Sequence, residues 1–192
     1  MLYLASQSPR RREILDQIGV DYRTIPQNID EGMRAQEAPE TYVQRLALEK
    51  AISGLDSINN PRGDERVLGA DTIVVFDGHI LGKPKDRKCG CDMLMTLSGQ
   101  KHTVMSGIAI ASKDKSEYDI SKTDVFFRTL DKSLIDRYWE STEPCDKAGG
   151  YGIQGRGGIF VEKIIGSYSG VVGLPIEKLF PLLEKFNIPF WN

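Results

Sequence analysis

The chain carries one long run of mainly apolar residues that a single carboxylate interrupts, Arg66-Val67-Leu68-Gly69-Ala70-Asp71-Thr72-Ile73-Val74-Val75-Phe76. Its β-branched residues predict a buried strand, and the Asp77-Gly78 pair that follows predicts a tight turn. A carboxylate among apolar neighbours costs free energy unless it is paired, hydrogen-bonded or bound to a metal. We therefore interpret Asp71 as a functional residue, with an exposed or loop-bonded side chain as the alternative.

Segments with helical and strand character alternate around this run. Apolar spacing and capping signals predict helices at 9–18, 39–54, 87–97 and 176–186, and another from the capping residue Asp131 to Trp139. Strand candidates lie at 2–5, 103–111, 118–130 and 159–165, with a shorter strand-like segment at 22–29. A polar connection at 56–65 contains the breakers Asn60-Pro61 and Gly63. Because hairpin-like pairs occur beside crossover-like ones, we expect an α/β fold with a mixed, twisted sheet flanked by helices.

The composition narrows the class of protein. A length of 192 residues predicts one domain, 1–192, with room for two lobes around a central cleft. The formal net charge of −2 leaves no broad basic surface, so we expect no nucleic-acid partner. No apolar run has membrane-spanning length, so we expect no membrane partner. Three cysteines cannot all pair and the first residues lack a signal-peptide pattern, which together favour a cytoplasmic protein.

A second unusual feature is the helix start within Ser6-Gln7-Ser8-Pro9-Arg10-Arg11-Arg12-Glu13. Ser8 suits the N-cap and Pro9 suits the first helical position. The partial positive charge of a helix N-terminus repels the three arginines unless an anion completes the site. The sequence leaves two interpretations open, an anion site that uses these arginines or arginines that extend into solvent.

Three further charged residues are candidates for the same site. Lys50 lies on a largely apolar helix face, and Lys83 follows a hairpin-sized excursion from the Asp71 strand. Each lysine is a candidate phosphate ligand, and a solvated side chain is the alternative for each. Glu31, with Asp30 beside it, follows the segment 22–29, and this pair supplies a second carboxylate, which with Asp71 and substrate phosphates would hold Mg²⁺ or Mn²⁺.

Residues 148–158 are rich in glycine and contain the pattern G-x-G-x-x-G. In dinucleotide-binding proteins this pattern follows a strand and opens a helix, whereas here it follows a polar loop and precedes Ile159-Phe160-Val161. The context rejects the motif, which is the only support for a dinucleotide-dependent oxidoreductase. The glycines let backbone amides approach a ligand, and Tyr151 and Gln154 offer a ring and an amide to a base. A tight hairpin is the alternative.

Five motifs, in order along nearly the whole chain, resemble those of Maf-like proteins. They are Ser6-x-Ser8-Pro9-Arg10-Arg11, Gly69-Ala70-Asp71-Thr72, Lys83-Pro84, Asp146-Lys147-Ala148-Gly149-x-Tyr151-x-Ile153-Gln154-Gly155 and Gly166-Ser167-Tyr168-x-x-Val171-Val172-Gly173-Leu174-Pro175. The resemblance implies a nucleoside triphosphate pyrophosphatase with an elongated α/β fold akin to inosine triphosphatase and Ham1. It also implies a divalent metal cofactor, a homodimer and a role in restraining septum formation.

The resemblance assigns roles to individual residues. Asp71 matches the family's proton acceptor, and three residues match positions linked to substrate choice, namely Arg10, Thr72 and Gln154. Glu31, Lys50 and Lys83 match polar positions of the family's cleft. With the candidates above, the predicted site has Asp71, Lys83 and Glu31 as catalytic residues, Asp71 and Glu31 as metal ligands, and Ser8, Arg10, Arg11, Lys50, Thr72 and Gln154 as substrate-binding residues.

The sequence Ile153-Gln154-Gly155 resembles the branch that hydrolyses dTTP and UTP, including modified uridine triphosphates, to the monophosphate and pyrophosphate. Such an activity fits a house-cleaning role. Arg12 and Gly170 depart from the commonest family pattern. Two alternatives stay open at this point, the family branch that acts on 7-methylguanosine triphosphate and a nucleotide-binding regulator of septum formation without relevant turnover.

Overall fold

The computed structural model describes residues 1–59 and 63–191 of the chain. Its strands are β1 (Leu2–Ala5), β2 (Tyr22–Thr24), β3 (Arg66–Phe76), β4 (His79–Leu81), β5 (Lys101–Ala111), β6 (Ser116–Phe127) and β7 (Val161–Ile165). Its α-helices are α1 (Pro9–Gln17), α2 (Pro39–Asp56), α3 (Arg87–Leu97), α4 (Lys132–Trp139), α5 (Tyr168–Val172) and α6 (Ile176–Lys185). Short 3₁₀ turns span Glu143–Asp146, Ala148–Gly150 and Arg156–Phe160. None of the helices in the described ranges has the length and apolarity that crossing a bilayer requires.

The strands form one mixed sheet. Their order is β2-β1-β3-β5-β6-β7, and β4 pairs with β3. β1 runs parallel to both of its neighbours, with Tyr3 opposite Arg23 on β2 and opposite Val67 on β3. β3 and β4 are antiparallel, as are β6 and β7. The expected α/β fold with a mixed sheet is therefore confirmed.

β3 has the bounds that its apolar run predicts. Val67, Leu68 and Ala70 on this strand are completely buried. The turn that follows places Asp77 at φ 48° and Gly78 at φ 75°, the left-handed backbone that two-residue hairpin turns require. The chain then returns along β3 as β4, as the sequence predicts.

Three strands are shorter at one end than the sequence predicts. β2 stops at Thr24 because Pro26 has no N–H with which to continue the pairing that Ile25 makes with the Leu4 carbonyl. β6 stops at Phe127, since the amide of Leu130 donates to the hydroxyl of Ser98 instead. β7 starts at Val161 because residues 156–160 form a 3₁₀ turn. The breakers Asn60-Pro61 lie outside the described residues.

The contacts within the chain define two compact units. Unit 1 comprises Met1–Asp71, Ser106–Ser121 and Gly173–Asn192, and unit 2 comprises Thr72–Met105 and Lys122–Val172. A single domain with two lobes around a cleft stays a prediction.

Unit 1 has an aliphatic core in which helix α2 lies directly on strand β3. A Cβ atom on Gly69 would overlap the carbonyl oxygen of Ala47 in α2, so only glycine permits this approach. Small side chains continue the contact, with Ala47 and Ala51 packed against Ala109 and Ala111 of β5. This close packing brings the C-terminal half of α2 alongside the carboxylate that interrupts β3.

Unit 2 has an aromatic core beneath the glycine-rich segment. The rings of Phe127 and Tyr151 meet edge to face with centroids 4.7 Å apart, and those of Tyr138 and Phe160 do so at 4.8 Å. These rings pack with Leu94 of α3, which is completely buried. The glycine-rich segment is attached to this aromatic core through Tyr151.

Candidate active site

Lys50 forms the centre of a charged cluster in unit 1. Its Nζ atom lies 2.7 Å from Oδ1 of Asp71 and 2.7 Å from Oε1 of Glu31. The lysine side chain is 7% exposed and that of Asp71 is 13% exposed, whereas Glu31 is 49% exposed. Lys50 is thus not the solvated side chain that its sequence left as an alternative. We call these three residues the ion cluster.

The ion cluster explains how Asp71 is tolerated inside an apolar strand. A buried carboxylate needs a charged partner or several hydrogen-bond donors, and the buried ammonium of Lys50 provides both charge and a donor. Lys50 follows Leu46 and Ala47 on the buried face of α2, so the helix that packs on β3 also delivers the counter-charge. The packing at Gly69 therefore positions the chemistry at Asp71.

The carboxylates of the ion cluster suit a divalent cation. Asp71 and Glu31 each place an oxygen 2.7 Å from the same nitrogen, so the two carboxylates converge on one point. Among the described residues no group of three or more His, Cys, Asp or Glu side chains converges on such a site. Mg²⁺ and Mn²⁺ need few protein ligands when water and phosphate oxygens complete their coordination. The donor set therefore fits the metal that the sequence predicts.

The loop that carries Glu31 is attached to α2 by residues that the sequence did not single out. The hydroxyl of Tyr42 donates to the carbonyl of Glu31 at 2.8 Å, and Arg45 donates to the carbonyl of Gly32 at 3.0 Å. Arg45 also binds both carboxylate oxygens of Glu37 at 2.6 and 2.7 Å. These hydrogen bonds lower the pKa of Glu37 to about 2. No local pattern predicts them, because the partners come from a loop without regular structure.

Arg11 is a buried arginine rather than a solvent-exposed one. Its Nε donates to the carbonyl of Gly173 at 2.8 Å and its Nη1 donates to the hydroxyl of Ser6 at 2.9 Å. Burial lowers the pKa of Arg11, and the negative charge of Asp71 opposes part of that effect. Arg11 therefore joins three segments of unit 1 and adds positive charge near the ion cluster.

The other residues of the arginine-rich helix start differ from Arg11 in exposure. Arg10 is half-buried and Arg12 is exposed. Ser8 occupies the N-cap position, as predicted, but among the described residues its side chain makes no capping hydrogen bond. Its amide instead donates to the hydroxyl of Ser6 at 3.3 Å.

The remaining predicted site residues belong to unit 2. Thr72 follows Asp71 on β3 and is half-buried. Lys83 is exposed and follows Gly82, whose carbonyl accepts a hydrogen bond from the amide of Gly149 at 3.0 Å. Gln154 is exposed in the glycine-rich segment. The structure thus joins Glu31, Lys50 and Asp71 directly, whereas a shared site with Thr72, Lys83 and Gln154 stays a prediction.

The glycine-rich segment forms a turn followed by a 3₁₀ turn. The amide of Gly155 donates to the carbonyl of Gly152 at 3.3 Å, which closes a turn with Ile153 and Gln154 at its tip. A 3₁₀ turn and then strand β7 follow this turn. The segment does not open a helix, so the dinucleotide-binding motif is absent from this part of the structure.

Comparisons with known proteins identify the family. The family model described as Maf-like protein matches residues 1–186. A protein named dTTP/UTP pyrophosphatase from Alkalilimnicola ehrlichii is 48% identical over 191 residues, which cover 98% of this chain and 94% of that protein. One with the same name from Salmonella typhimurium is 50% identical over 186 residues, which cover 97% and 93%.

A solved structure extends the comparison to the fold. The Staphylococcus aureus Ham1 protein aligns with a TM-score of 0.54 over 97% of each chain, at 13% sequence identity. At that identity the likeness concerns the fold alone, and it confirms the predicted Ham1-type architecture. The family model and the two relatives together cover nearly every residue of the chain. The chain therefore belongs to the Maf-like protein family.

Proposed function

We propose that this protein is a nucleoside triphosphate pyrophosphatase that hydrolyses dTTP and UTP, including modified uridine triphosphates. The products are the nucleoside monophosphate and pyrophosphate. The names of relatives that are 48% and 50% identical over nearly the full length support this substrate class. The observation that carries the proposal is the buried ammonium of Lys50 between the carboxylates of Asp71 and Glu31.

Asp71 acts as the general base in this proposal. Its carboxylate takes a proton from water as the water oxygen bonds to the α-phosphorus, and the bond from that phosphorus to the bridging oxygen breaks. Pyrophosphate leaves with the bridging oxygen, and Asp71 then returns its proton to solvent. Lys50 orients Asp71 through its 2.7 Å ion pair and offsets one of the two negative charges of the carboxylates.

Asp71 and Glu31 would also hold a divalent cation, Mg²⁺ or Mn²⁺. When bound, such an ion neutralises phosphate oxygens and offsets the negative charge that develops in the reaction. Metal binding makes a carboxylate less basic. If Asp71 is mainly a ligand, Glu31 takes the role of base, and its greater exposure gives it access to water.

Positively charged and polar side chains bind the rest of the substrate. Arg10, Arg11 and Ser8 from the start of α1 would contact the triphosphate together with Lys83. Thr72 and Gln154 would select the base. We also propose that the enzyme works in the cytoplasm and that it forms a homodimer. Sedimentation of the purified protein tests the homodimer directly.

The decisive experiment measures pyrophosphate release from common and modified nucleoside triphosphates with Mg²⁺ and with Mn²⁺. We expect dTTP and UTP to be preferred over 7-methylguanosine triphosphate. The variant Asp71→Asn should lose about 10³-fold in turnover with its circular dichroism unchanged, whereas Asp77→Asn, at an exposed turn on the same chain segment, should retain activity.

Two results would contradict the proposal. Near-normal turnover in Asp71→Asn would remove Asp71 from the catalytic role. Tight binding of dTTP by the wild-type protein without metal-dependent release of pyrophosphate would favour a nucleotide-binding regulator of septum formation.

A further inference from the structure

Gln154 lies at the tip of a loop that is hydrogen-bonded on both sides. We call residues 152–158 the glycine loop. On one side of Gln154 the amide of Gly152 donates to the hydroxyl of Tyr138 at 3.3 Å. On the other side the amides of Arg156 and Gly157 donate to the carboxylate of Glu143. Gln154 itself is exposed.

The carboxylate of Glu143 accepts hydrogen bonds from the glycine loop and from Tyr138. Its Oε2 atom accepts the Arg156 amide at 2.8 Å, and its Oε1 atom accepts the Gly157 amide at 3.1 Å and the Tyr138 hydroxyl at 2.9 Å. Burial favours a higher pKa for Glu143, but the hydrogen bonds from Gly157, Arg156 and Tyr138 outweigh it and the pKa falls. The side chain is therefore held as a carboxylate that accepts from three donors.

Tyr138 connects the two sides of the loop. Burial and then the hydrogen bond to Glu143 raise the pKa of Tyr138, so its hydroxyl keeps its proton. That hydroxyl donates to Glu143 and accepts from the amide of Gly152. Both sides of the Gln154 turn are thus tied to one hydrogen-bonded pair.

The loop backbone lies against Glu143 without a gap. A Cβ atom on Gly155 would overlap both carboxylate oxygens of Glu143, and one on Gly157 would lie 2.7 Å from the Tyr138 hydroxyl oxygen. A side chain at Gly155 or Gly157 would displace Glu143 or Tyr138, so glycine permits the observed close approach. The backbone of Gly155 is extended, so this space and not a left-handed conformation favours glycine there. The segment is therefore shaped to receive this carboxylate.

We propose that Glu143 is a specificity-determining positioning residue, which fixes the turn that presents Gln154 and so sets the preference for a pyrimidine base. This inference rests on the proposed function. Glu143 acts through the loop backbone and does not touch the substrate. A loop that is free to change shape would admit larger bases, because discrimination depends on groups held in one geometry.

The substitution Glu143→Gln tests this inference. Glutamine keeps one carbonyl oxygen but replaces the other acceptor with an NH₂ donor, which faces the N–H donor of Arg156 or Gly157. We expect the ratio of kcat/KM for UTP to that for GTP to fall at least about tenfold, with kcat for UTP reduced less than about threefold. The matched control is Glu140→Gln, an exposed carboxylate at the end of α4.

A second measurement reports on the loop without any nucleotide. Trypsin cleaves after Arg156, which is exposed, and cleavage requires local release of the backbone. We expect Glu143→Gln to be cut there at least about tenfold faster than wild type, with Glu140→Gln unchanged. If Glu143→Gln does not fold, Tyr138→Phe removes one donor and should give the same two changes at smaller size.

The outcomes separate the inference from the proposed function. If Glu143→Gln is folded and keeps both the wild-type substrate ratio and the wild-type cleavage rate, the inference is wrong. If the wild-type protein releases no pyrophosphate from any triphosphate, the proposed function fails. The inference is then decided by the ratio of calorimetric dissociation constants for UTP and GTP, and an unchanged ratio in Glu143→Gln would overturn it.

Discussion

The ion cluster draws its three side chains from distant parts of the chain, whereas the glycine loop and its supports lie within residues 138–158. Glu31 comes from an irregular loop, Lys50 from α2 and Asp71 from β3, and only tertiary packing brings them together. Glu143 instead binds amides 13 and 14 residues further along the chain. The two regions therefore depend on different kinds of structure.

Their electrostatics differ in the same way. The ion cluster has two carboxylates and one ammonium, so the removal of any member changes the net charge at a partly buried place. The donors to the Glu143 carboxylate are neutral amides and a hydroxyl, while the ammonium of Lys147 donates to the main-chain carbonyl of Glu143. The loop is therefore held by hydrogen-bond geometry around a single carboxylate. Under the proposed function, charge serves the reaction in the ion cluster, and shape serves the choice of substrate at the glycine loop.

The largest effect is expected when the charge of Lys50 is removed. In Lys50→Met two carboxylates stay close together without a counter-charge, so we expect loss of turnover and a fall of about 4 kcal/mol in the free energy of unfolding. Urea unfolding and pyrophosphate release measure the two effects. All triphosphates should be affected alike, since this region does not select the base.

A second substitution separates charge from packing in that experiment. Lys50→Met combined with Asp71→Asn should recover about half of the lost stability but no activity, because one uncompensated carboxylate is gone while the base is also lost. Lys178→Met is a control, since its ion pair with Asp119 is half-exposed and contributes less than about 1 kcal/mol. Equal stability of Lys50→Met and wild type would show that the buried ion pairs are not structural.

Much of the ion cluster could be predicted from the sequence, because the apolar run of β3 is a local pattern that contains one carboxylate. The apolar run predicted the strand with its observed bounds, and Asp71 stood out as the residue that violates the pattern. Lys50 was a weaker signal, since a lysine on an apolar helix face is as compatible with solvent as with a buried partner. Only the position of α2 on β3 decides between these outcomes.

The residues that hold the loops were not predictable in the same way. Glu143 lies in a polar stretch that gives no periodic pattern, and its role depends on amides that any residue carries. Arg45 and Glu37 meet because an irregular loop folds back onto α2. Arg11 was predicted to bind substrate from its place in a motif, yet its bonds to Ser6 and Gly173 give it a structural role that composition does not signal. Long-range and backbone contacts of this kind leave little trace in one sequence.

Stability should also depend on pH through His102, which contacts Tyr151 just before the glycine loop. Its Nε2 lies 2.7 Å from the Tyr151 hydroxyl, and among the described residues its Nδ1 has no hydrogen-bond partner. Burial lowers the pKa of His102 from 6.5 to about 4, although nearby Asp124 opposes this. The unfolded chain therefore binds a proton that the folded one does not, so stability is present above pH 6.5 and lost as the pH falls toward 4.

The variant His102→Gln keeps a polar partner for Tyr151 but cannot titrate. Between pH 7 and pH 4 we expect wild type to lose on the order of 3 kcal/mol more stability than this variant does. The exposed His79 provides the control, since His79→Gln should follow the wild-type curve. Denaturant unfolding at several pH values measures the difference, and parallel curves for wild type and His102→Gln would contradict the assignment.

The smallest effect is expected at Glu37, which helps to hold the loop of Glu31 without belonging to the ion cluster. Its folded pKa of about 2 lies below the ordinary value of 4.5, so its contribution to stability is present above pH 4.5 and is lost as the pH falls toward 2. Glu37→Gln should lower the melting temperature by about 2 °C above pH 5, with the gap closing in acid. Turnover should fall about twofold for every triphosphate, because the loop of Glu31 stays attached through Tyr42 and Arg45.

Glu184→Gln, at an exposed site on α6, is the control. A change in base preference in Glu37→Gln would contradict the separation of the two regions, since this residue supports only the region assigned to the reaction.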